Sequence, residues 1–194
     1  MMTFNVKHQE SYSRSELLLR SFFGYFYIVL PHAFILMFLA LWGSILTFIS
    51  WLIIMFTGSY PESFFEYQVK LMKWSTRVNL RVYNLADGYP SFGLESEDSA
   101  FTLEIPYPEN LSRSTQLIKL LFGAFYVIIP HGFLLLFRGI ATMFLWILGW
   151  WAVLFTGKFP ESWHEFIVGT MRWGLRVQLY MGYMTDDYPP FSGK

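Results

Sequence analysis

The chain consists of one unit written twice. Pro31-His32 of the first copy recurs as Pro130-His131, an offset of 99 residues (130 − 31 = 99), and no gap is needed to align the rest. Further matches at this offset are Thr57-Gly58 with Thr156-Gly157, Pro61-Glu62 with Pro160-Glu161, Trp74 with Trp173, and Arg77 with Arg176. Such self-similarity indicates two copies of one structural module. We therefore predict a first module over residues 1–95 and a second over residues 96–194.

Charged residues are scarce and unevenly placed. They make up 14% of the chain, against 54% hydrophobic residues, whereas soluble domains carry roughly a quarter charged residues. Residues 21–61 contain no Asp, Glu, Lys or Arg, and between residues 120 and 157 the only charge is Arg138. A charge-free run of about 20 residues is long enough to cross the hydrocarbon of a bilayer. These runs predict an all-α integral membrane protein.

Composition also narrows the chemistry. The formal net charge is zero, which gives no reason to expect a nucleic-acid partner. The chain has no cysteine, which rules out thiol catalysis and thiolate metal sites. It shows no nucleophile elbow, phosphate-binding loop or zinc motif. We expect no enzymatic activity, no metal and no cofactor.

Each module divides into three apolar or amphipathic segments. Segment A follows a serine-rich helix start and ends before Pro31 or Pro130, where the missing N–H should break the helix and open segment B. Segment B ends at Gly58 or Gly157, where glycine permits the backbone angles of a sharp turn. Segment C then begins at Pro61 or Pro160, a residue suited to a first helical turn.

Segment C predicts an amphipathic helix. In the first copy its charged residues are spaced three or four positions apart, so they form one narrow stripe along a helix. These residues are Glu62, Glu66, Lys70, Lys73, Arg77 and Arg81. Trp74 and Trp173 lie on its apolar remainder and should serve packing or interface anchoring. Because crossing a bilayer with this many charges is costly, we expect segment C to lie in the membrane interface.

Short polar stretches of alternating character predict a small extramembrane β element. Residues 3–6 align with residues 102–105, and both read as strands. Residues 91–94 and 101–105 flank a polar turn, which predicts a β-hairpin between the modules. With the tail after Pro190, four short strands are available.

Two membrane topologies are open. If segments A and B form a membrane hairpin, the Lys and Arg residues before A and along C share one side, as the positive-inside rule requires. Both modules then point the same way, with cytoplasmic termini. If segment A only lies in the interface, one crossing per copy inverts the second module. The charge distribution favours the hairpin, although segment A is short for a full crossing.

The order of these motifs resembles a known family. Both copies contain Pro-His, then Phe-Thr-Gly-x-aromatic-Pro, then a tryptophan followed by Arg-Val, with the best match over residues 154–192. This pattern resembles a bacterial membrane family called domain of unknown function four-three-eight-nine. The first copy departs from it at Lys73 and Gly88. The resemblance implies a bacterial inner-membrane protein with tandem modules. It implies no activity, substrate or catalytic residue.

Three residues are candidates for interactions. His32 and His131 occupy matching positions and could face each other as metal, haem or quinone ligands, or each could cap a helix start beside its proline. Arg138 has Leu39 as its counterpart. An ionisable group in an apolar segment suggests contact with a carboxylate of a partner or with an anionic lipid, and the alternative is snorkelling to the interface.

These observations lead to a functional expectation. We expect a non-enzymatic accessory or scaffold subunit that binds membrane lipids and other integral membrane proteins within a larger complex. The alternative is a small transporter or channel for a lipid or an apolar solute. Ion-coupled carriers need polar groups at mid-membrane depth, and segments A and B carry few.

Overall fold

A computed structural model describes residues 2–194. In chain order its elements are β1 (Thr3–Val6), α1 (Arg14–Gly24), α2 (Leu30–Thr57), α3 (Glu62–Val82), β2 (Phe101–Glu104), α4 (Arg113–Gly123), α5 (Ile129–Thr156) and α6 (Glu161–Met181). A π-helical turn joins α1 to α2 at Tyr25–Val29, and another joins α4 to α5 at Ala124–Ile128. The fold is therefore mostly α-helical with one small sheet, as predicted.

The expected break between segments A and B is wrong. Residues 14–57 form one continuous helix of 44 residues, and residues 113–156 form its counterpart; we call these the first and second long helix. Pro31 has no N–H to give to the carbonyl of Tyr27, four residues earlier. The hydroxyl of Tyr89 donates to that carbonyl instead, at 2.9 Å. The wider π-helical turn and this outside donor let the helix continue through the proline, so segments A and B form no membrane hairpin.

The second module repeats this solution. Pro130 follows Tyr126 by four residues, and the Tyr188 hydroxyl donates to the Tyr126 carbonyl at 2.8 Å. Tyr89-Pro90 recurs at the 99-residue offset as Tyr188-Pro189, and the tyrosine of this Tyr-Pro motif satisfies the carbonyl that the Pro-His motif leaves without a donor. Two motifs some 60 residues apart in each copy thus form one structural unit, an arrangement that neither motif indicates alone.

Glycine ends both long helices, as the sequence predicts. Gly58 and Gly157 adopt left-handed backbone conformations with φ of 80° and 73°. Their N–H groups donate to Ile54 and Val153, and their carbonyls accept from Leu111 and Tyr12 of the other module. Each glycine therefore both caps a helix and joins the two modules.

Replacing either glycine with valine should lower stability. A β-branched residue at positive φ is strained by roughly 1–2 kcal/mol or more, so we expect Gly58→Val and Gly157→Val to reduce the melting temperature and the folded yield. Gly132→Val is the matched control, because an added Cβ at Gly132 meets nothing within 4 Å and its φ is not positive. Equal melting temperatures for all three variants and the wild type would show that the turns do not need glycine.

Segment C forms the helices α3 and α6, which pack against the long helices, and its position in the membrane interface stays a prediction. The α3 helix runs antiparallel to the first long helix: Tyr67 donates to the Leu39 carbonyl, Trp74 to His32, and Arg20 donates to Asn84 just after the helix end. The loops that follow cover only the C-terminal part of the charged stripe, where Arg77 is 1% exposed, whereas Glu62 and Glu66 are exposed.

The strand prediction is correct in part. β1 and β2 form a two-stranded antiparallel sheet. The predicted hairpin of residues 91–94 with residues 101–105 is wrong, since residues 91–94 form no strand and β2 pairs with β1 instead. The guanidinium of Arg77 donates to the carbonyls of Gly93 and Ser96. These hydrogen bonds hold the segment after residue 91 against α3. They also occupy backbone carbonyls that would otherwise be available for pairing in a hairpin.

The two modules interlock about a pseudo-two-fold axis through the sheet. Phe4 pairs with Leu103, its own counterpart (103 − 4 = 99). Arg14, at the start of the first long helix, donates to the Phe155 carbonyl near the end of the second. Further along the first long helix, the Ser21 hydroxyl accepts a hydrogen bond of 2.6 Å from Nε1 of Trp150. The two long helices are therefore antiparallel where they meet. One core contains residues of both modules, including Phe4, Leu17, Ile54, Leu103, Val153 and Ile167.

This interlocking also corrects the alternative topology. One crossing per copy would place the polar parts of the two modules in opposite compartments. The structure instead joins them: β1 pairs with β2, and His8 of the first module contacts the Phe159 carbonyl of the second at 2.7 Å. Neither of the two topologies left open by the sequence describes the fold.

Candidate functional site

The outer face of the two long helices is the most extensive exposed feature. One stripe of each helix is buried, and in the first it includes Gly24, His32, Gly43, Ser50 and Ile54. The remaining circumference is apolar and exposed along almost the whole length. Its members include Phe22, Phe26, Phe34, Phe38, Leu41, Phe48 and Phe56, and in the second helix Phe122, Phe125, Phe133, Phe137, Phe144 and Phe155. We call this surface the apolar face.

The apolar face is a continuous exposed apolar surface along both long helices. Contiguous exposed apolar patches of more than a few hundred Å² mark an interaction with a membrane or another protein. Each long helix is long and apolar enough to cross a membrane by length and composition, and only 17% of its most apolar window is buried. The core helix of a soluble protein would be mostly buried.

Beneath the apolar face, each module holds a buried histidine in an aromatic cluster. His32 stacks on Phe92 with ring centroids 3.9 Å apart and an interplanar angle of 4°. Its Nδ1 accepts a hydrogen bond of 2.9 Å from Nε1 of Trp74. The second module repeats both contacts, with His131 stacked on Phe191 at 4.1 Å and accepting from Trp173 at 2.8 Å.

These contacts define the protonation of the histidines. Indole nitrogen is only a donor, so Nδ1 of each imidazole carries no proton and the neutral ring has its proton on Nε2. Burial lowers the pKa of His32, and the charge of Arg77 lowers it further, against a rise from the Pro90 carbonyl. Burial alone lowers the pKa of His131. Both rings are therefore neutral at physiological pH.

The geometry gives the histidines a structural role. The nitrogen with a free lone pair is occupied by tryptophan, and the other nitrogen carries a proton, so neither atom is ready to bind a metal. Each ring has its aromatic neighbours in its own module, and the structure does not bring His32 and His131 together. Among residues 2–194, no group of three His, Asp or Glu side chains is arranged to hold a metal ion.

Arginines on α3 and α6 hold the segments that carry the stacked phenylalanines. Arg77 donates to the Gly93 carbonyl, and its counterpart Arg176 donates to the Ser192 carbonyl at 3.4 Å. Gly93 directly follows Phe92, and Ser192 directly follows Phe191. The Arg-Val motif therefore positions the Phe ring over the histidine, which explains why both copies retain it.

Arg138 has partners inside the molecule. Its Nε donates to the Thr170 hydroxyl at 2.9 Å, and its guanidinium lies 4.2 Å above the centre of the Phe166 ring. The counterparts of Arg138 and Thr170 are Leu39 and Leu71, so both members of the pair differ between the copies. These contacts explain a charge in this helix without an outside partner. A contact between the half-buried guanidinium and a partner protein or lipid stays a prediction.

The cations near the starts of the long helices, Arg20 and Lys119, are buried, whereas their positions in the sequence suggested snorkelling to the lipid headgroups. Arg20 forms ion pairs with Glu16 at 3.1 Å and Asp87 at 3.0 Å. Its counterpart Lys119 is 1% exposed and lies 3.6 Å from Asp186. Burial lowers the pKa of Lys119 to about 8, although Asp186 opposes the shift. The Asp kept at the end of segment C in both copies was the available signal, since it pairs with these cations.

The comparisons with known proteins agree with the tandem architecture. The model of the family described as Domain of unknown function (DUF4389) matches residues 15–93 and again residues 118–193. The chain therefore belongs to this family and contains two copies of its domain. No curated protein and no solved structure matches the chain significantly.

Proposed function

We propose that this member of the DUF4389 family is a non-enzymatic, monotopic membrane protein that embeds its apolar face in one leaflet. In this proposal it is an accessory or scaffold subunit that binds lipids and other integral membrane proteins. We place it in the bacterial inner membrane, with both termini and the polar side in the cytoplasm. The observation that carries the proposal is the continuous exposed apolar face along both long helices.

The length of this face favours lying in the membrane over crossing it. Phe22 and Phe56, which are 72% and 79% exposed, are 34 residues apart (56 − 22 = 34), or about 50 Å at the helical rise of ~1.5 Å per residue. The hydrocarbon core of a bilayer is only about 30 Å thick. An upright helix would leave roughly 20 Å of exposed phenylalanine and tryptophan side chains in water.

The position of α3 supports the same arrangement. It packs along the middle of the first long helix, and Glu66, Lys70 and Lys73 on its outer side are exposed or half-buried. A crossing helix would carry these charges into the hydrocarbon, at a cost of roughly 2.5–3.5 kcal/mol each near the centre. A helix lying in the interface leaves them in water.

An accessory role fits the internal use of the polar groups. The histidines present in both copies bond to tryptophans, and the matching arginines and tyrosines bond to backbone carbonyls, so they build the scaffold. What the molecule offers outward is a broad apolar face on one side and a charged layer on the other. Such a surface suits lateral contact with other membrane proteins at the depth of the leaflet.

Flotation with liposomes and co-purification test this proposal. We expect the wild type to float with phosphatidylglycerol-containing vesicles and to resist extraction by carbonate. The double variant Phe38→Glu/Phe137→Glu, which charges the middle of the apolar face, should lose most of this binding. Ser63→Glu/Ser162→Glu, at exposed sites in the first turns of α3 and α6, is the matched control and should bind normally.

A second experiment tests the proposed binding of other membrane proteins. Purification in mild detergent should recover membrane proteins with the wild type and the serine control, and fewer with the phenylalanine variant. If the phenylalanine variant binds vesicles and partners as well as the control does, the apolar face is not the binding surface.

A further inference from the structure

A cavity of about 470 Å³ lies where the first long helix meets the end of the second. Its walls include Ile28, Trp146 and Trp150, and its polar end is formed by Arg20, Arg81 and Asn84. Pockets of roughly 300–1,000 Å³ with apolar walls and a few polar groups are typical of small-molecule sites. The arrangement of an apolar wall with one polar end fits an amphiphile.

The cavity opens toward the apolar face. Tyr25 and Ile147 line it and are 63% and 42% exposed, and both belong to the long helices. A hydrocarbon chain could therefore enter from the leaflet in which we place the protein. A hydrocarbon chain could enter from a detergent micelle in the same way, so binding in the cavity does not require that the protein lies in a membrane.

The polar end of the cavity contains hydrogen-bond donors that have no acceptor in the described chain. Arg81 uses Nε and Nη1 to contact Gly88, Arg77 and Asp98, and its Nη2 meets no acceptor in the described chain. Asn84 accepts from Arg20 through Oδ1, and its Nδ2 likewise meets no acceptor there. Because Glu16, Asp87 and Asp98 already balance the two arginines, the vacant donors call for acceptor oxygens on a ligand more than for a large negative charge.

The pseudo-symmetric position in the other module is filled. Gly24 lines the cavity, and a Cβ there would meet only its own helix neighbour Arg20, at 3.5 Å. At the counterpart Gly123, a Cβ would lie 2.8 Å from Cε of Met181. Met181 replaces Val82, so the longer side chain occupies the space that the first module leaves open.

The polar end is also changed in the other module. Tyr180 replaces Arg81, and its hydroxyl pairs with that of Tyr126 at 3.0 Å. Its ring lies 4.0 Å from Nζ of Lys119, the counterpart of Arg20. The fold itself therefore does not require the cavity, because one half of the molecule closes the equivalent space with ordinary side chains.

We propose that this cavity binds the acyl chain of an amphiphile whose carboxylate or ester oxygens accept hydrogen bonds from Arg81 and Asn84. Two sources share this chemistry, a free fatty acid and a membrane phospholipid. In the complex the chain lies against Ile28, Trp146 and Trp150, and the oxygens lie at the arginine end. The site goes beyond the proposed scaffold role, since it gives the protein a specific ligand.

Native mass spectrometry of the full chain in mild detergent, titrated with hexadecanoate or with phosphatidylglycerol, tests the site. The variant Val82→Met copies the filled module, and we expect it to weaken binding of the cognate ligand at least ten-fold. Ile140→Met, on the exposed apolar face, is the control and should bind as the wild type does. The source of the natural ligand is the compound that saturates the wild type at one copy and whose binding is weakened in Val82→Met.

A second variant tests the polar end. Asn84→Asp keeps Oδ1 for Arg20 and replaces the Nδ2 donor with an acceptor, and Asp tolerates the positive φ of 56° at this residue. Asn84→Asp should weaken the binding of hexadecanoate by about ten-fold. It should leave the binding of hexadecanol little changed, because the hexadecanol hydroxyl can donate a hydrogen bond to the new carboxylate. Equal binding of either ligand by wild type, Val82→Met and Asn84→Asp would overturn the proposal. So would saturation of the wild type at many copies, as expected for adventitious detergent-like binding.

Discussion

Acidification from pH 7 to pH 4 should destabilise the wild type by roughly 3 kcal/mol through one histidine, and His164→Phe should escape this loss. Burial, and to a smaller extent the nearby His8, lower the pKa of His164 from 6.5 to about 4, while Glu165 opposes the shift. One pKa unit corresponds to about 1.4 kcal/mol. Between these two values the unfolded chain binds the proton and the folded chain does not, so stability falls as the pH falls through this window.

The geometry explains the burial. His164 lies in the first turn of α6 and is 2% exposed. Its ring is 5.0 Å from the His8 ring and packs edge-on against Phe159, and its Nε2 has no hydrogen-bond partner in the described chain. A charged imidazole here would be desolvated without an opposing charge in contact. The counterpart in the first module is Phe65, which is 4% exposed, so phenylalanine fits the module at this position.

Chemical unfolding in mixed micelles at several pH values between 4 and 7 measures the effect. The two proteins differ only at this residue, so the difference between wild type and His164→Phe isolates the histidine. The two curves should diverge as the pH falls below about 6.5. Parallel curves over the whole range would mean that His164 is protonated in the folded protein.

Gly149→Ala should destabilise the protein by roughly 1–3 kcal/mol, although alanine is the better helix former. A Cβ at Gly149 would lie 2.3 Å from Cζ and 2.4 Å from Cε2 of Phe159. That ring is 1% exposed in the shared core, so it has little room to move. Overpacking therefore outweighs the gain in helix propensity.

Gly139→Ala in the same helix is the matched control. Nothing lies within 4 Å of a Cβ added there, so we expect it to raise the melting temperature slightly, because glycine in a helix costs about 1 kcal/mol relative to alanine. Phe159→Leu should partly rescue Gly149→Ala, since neighbouring sites couple. If the two alanine variants have the same stability, the close approach of Phe159 does not constrain the helix.

The sequence predicted the features that repeat locally and missed those that depend on distant partners. The duplication, the glycine turns, the start of segment C and the first strand were all accessible from spacing and residue type. The continuity at Pro31 was not, because the donor that replaces its N–H is Tyr89, far along the chain. Pairing of β1 with β2 instead of a local hairpin likewise depends on contact between modules.

The candidate site shows the same division. Matching positions correctly singled out His32 and His131 as members of one repeated unit. Their role could not be predicted, because it depends on Trp74 and Trp173 occupying Nδ1. Arg138 drew attention as a lone charge in an apolar segment, whereas its contact with Thr170 required knowing that α5 and α6 are neighbours. The burial of Arg77 and Arg81 on α3 was missed for a similar reason, since the loops that cover these two side chains lie outside the helix.

The central claim is that the long helices lie in one leaflet, and thiol labelling tests it most directly. The chain contains no cysteine, so single cysteines can be placed at Ser15 and Ser59, at the two ends of the first long helix, and at Ser114 and Lys158 on the second. Each variant is treated with a membrane-impermeant maleimide, in intact spheroplasts and in inverted membrane vesicles. We expect all four cysteines to react from the same side, the cytoplasmic one. Reaction of Ser15→Cys from one side and Ser59→Cys from the other would show that the helix crosses the membrane and would contradict the account.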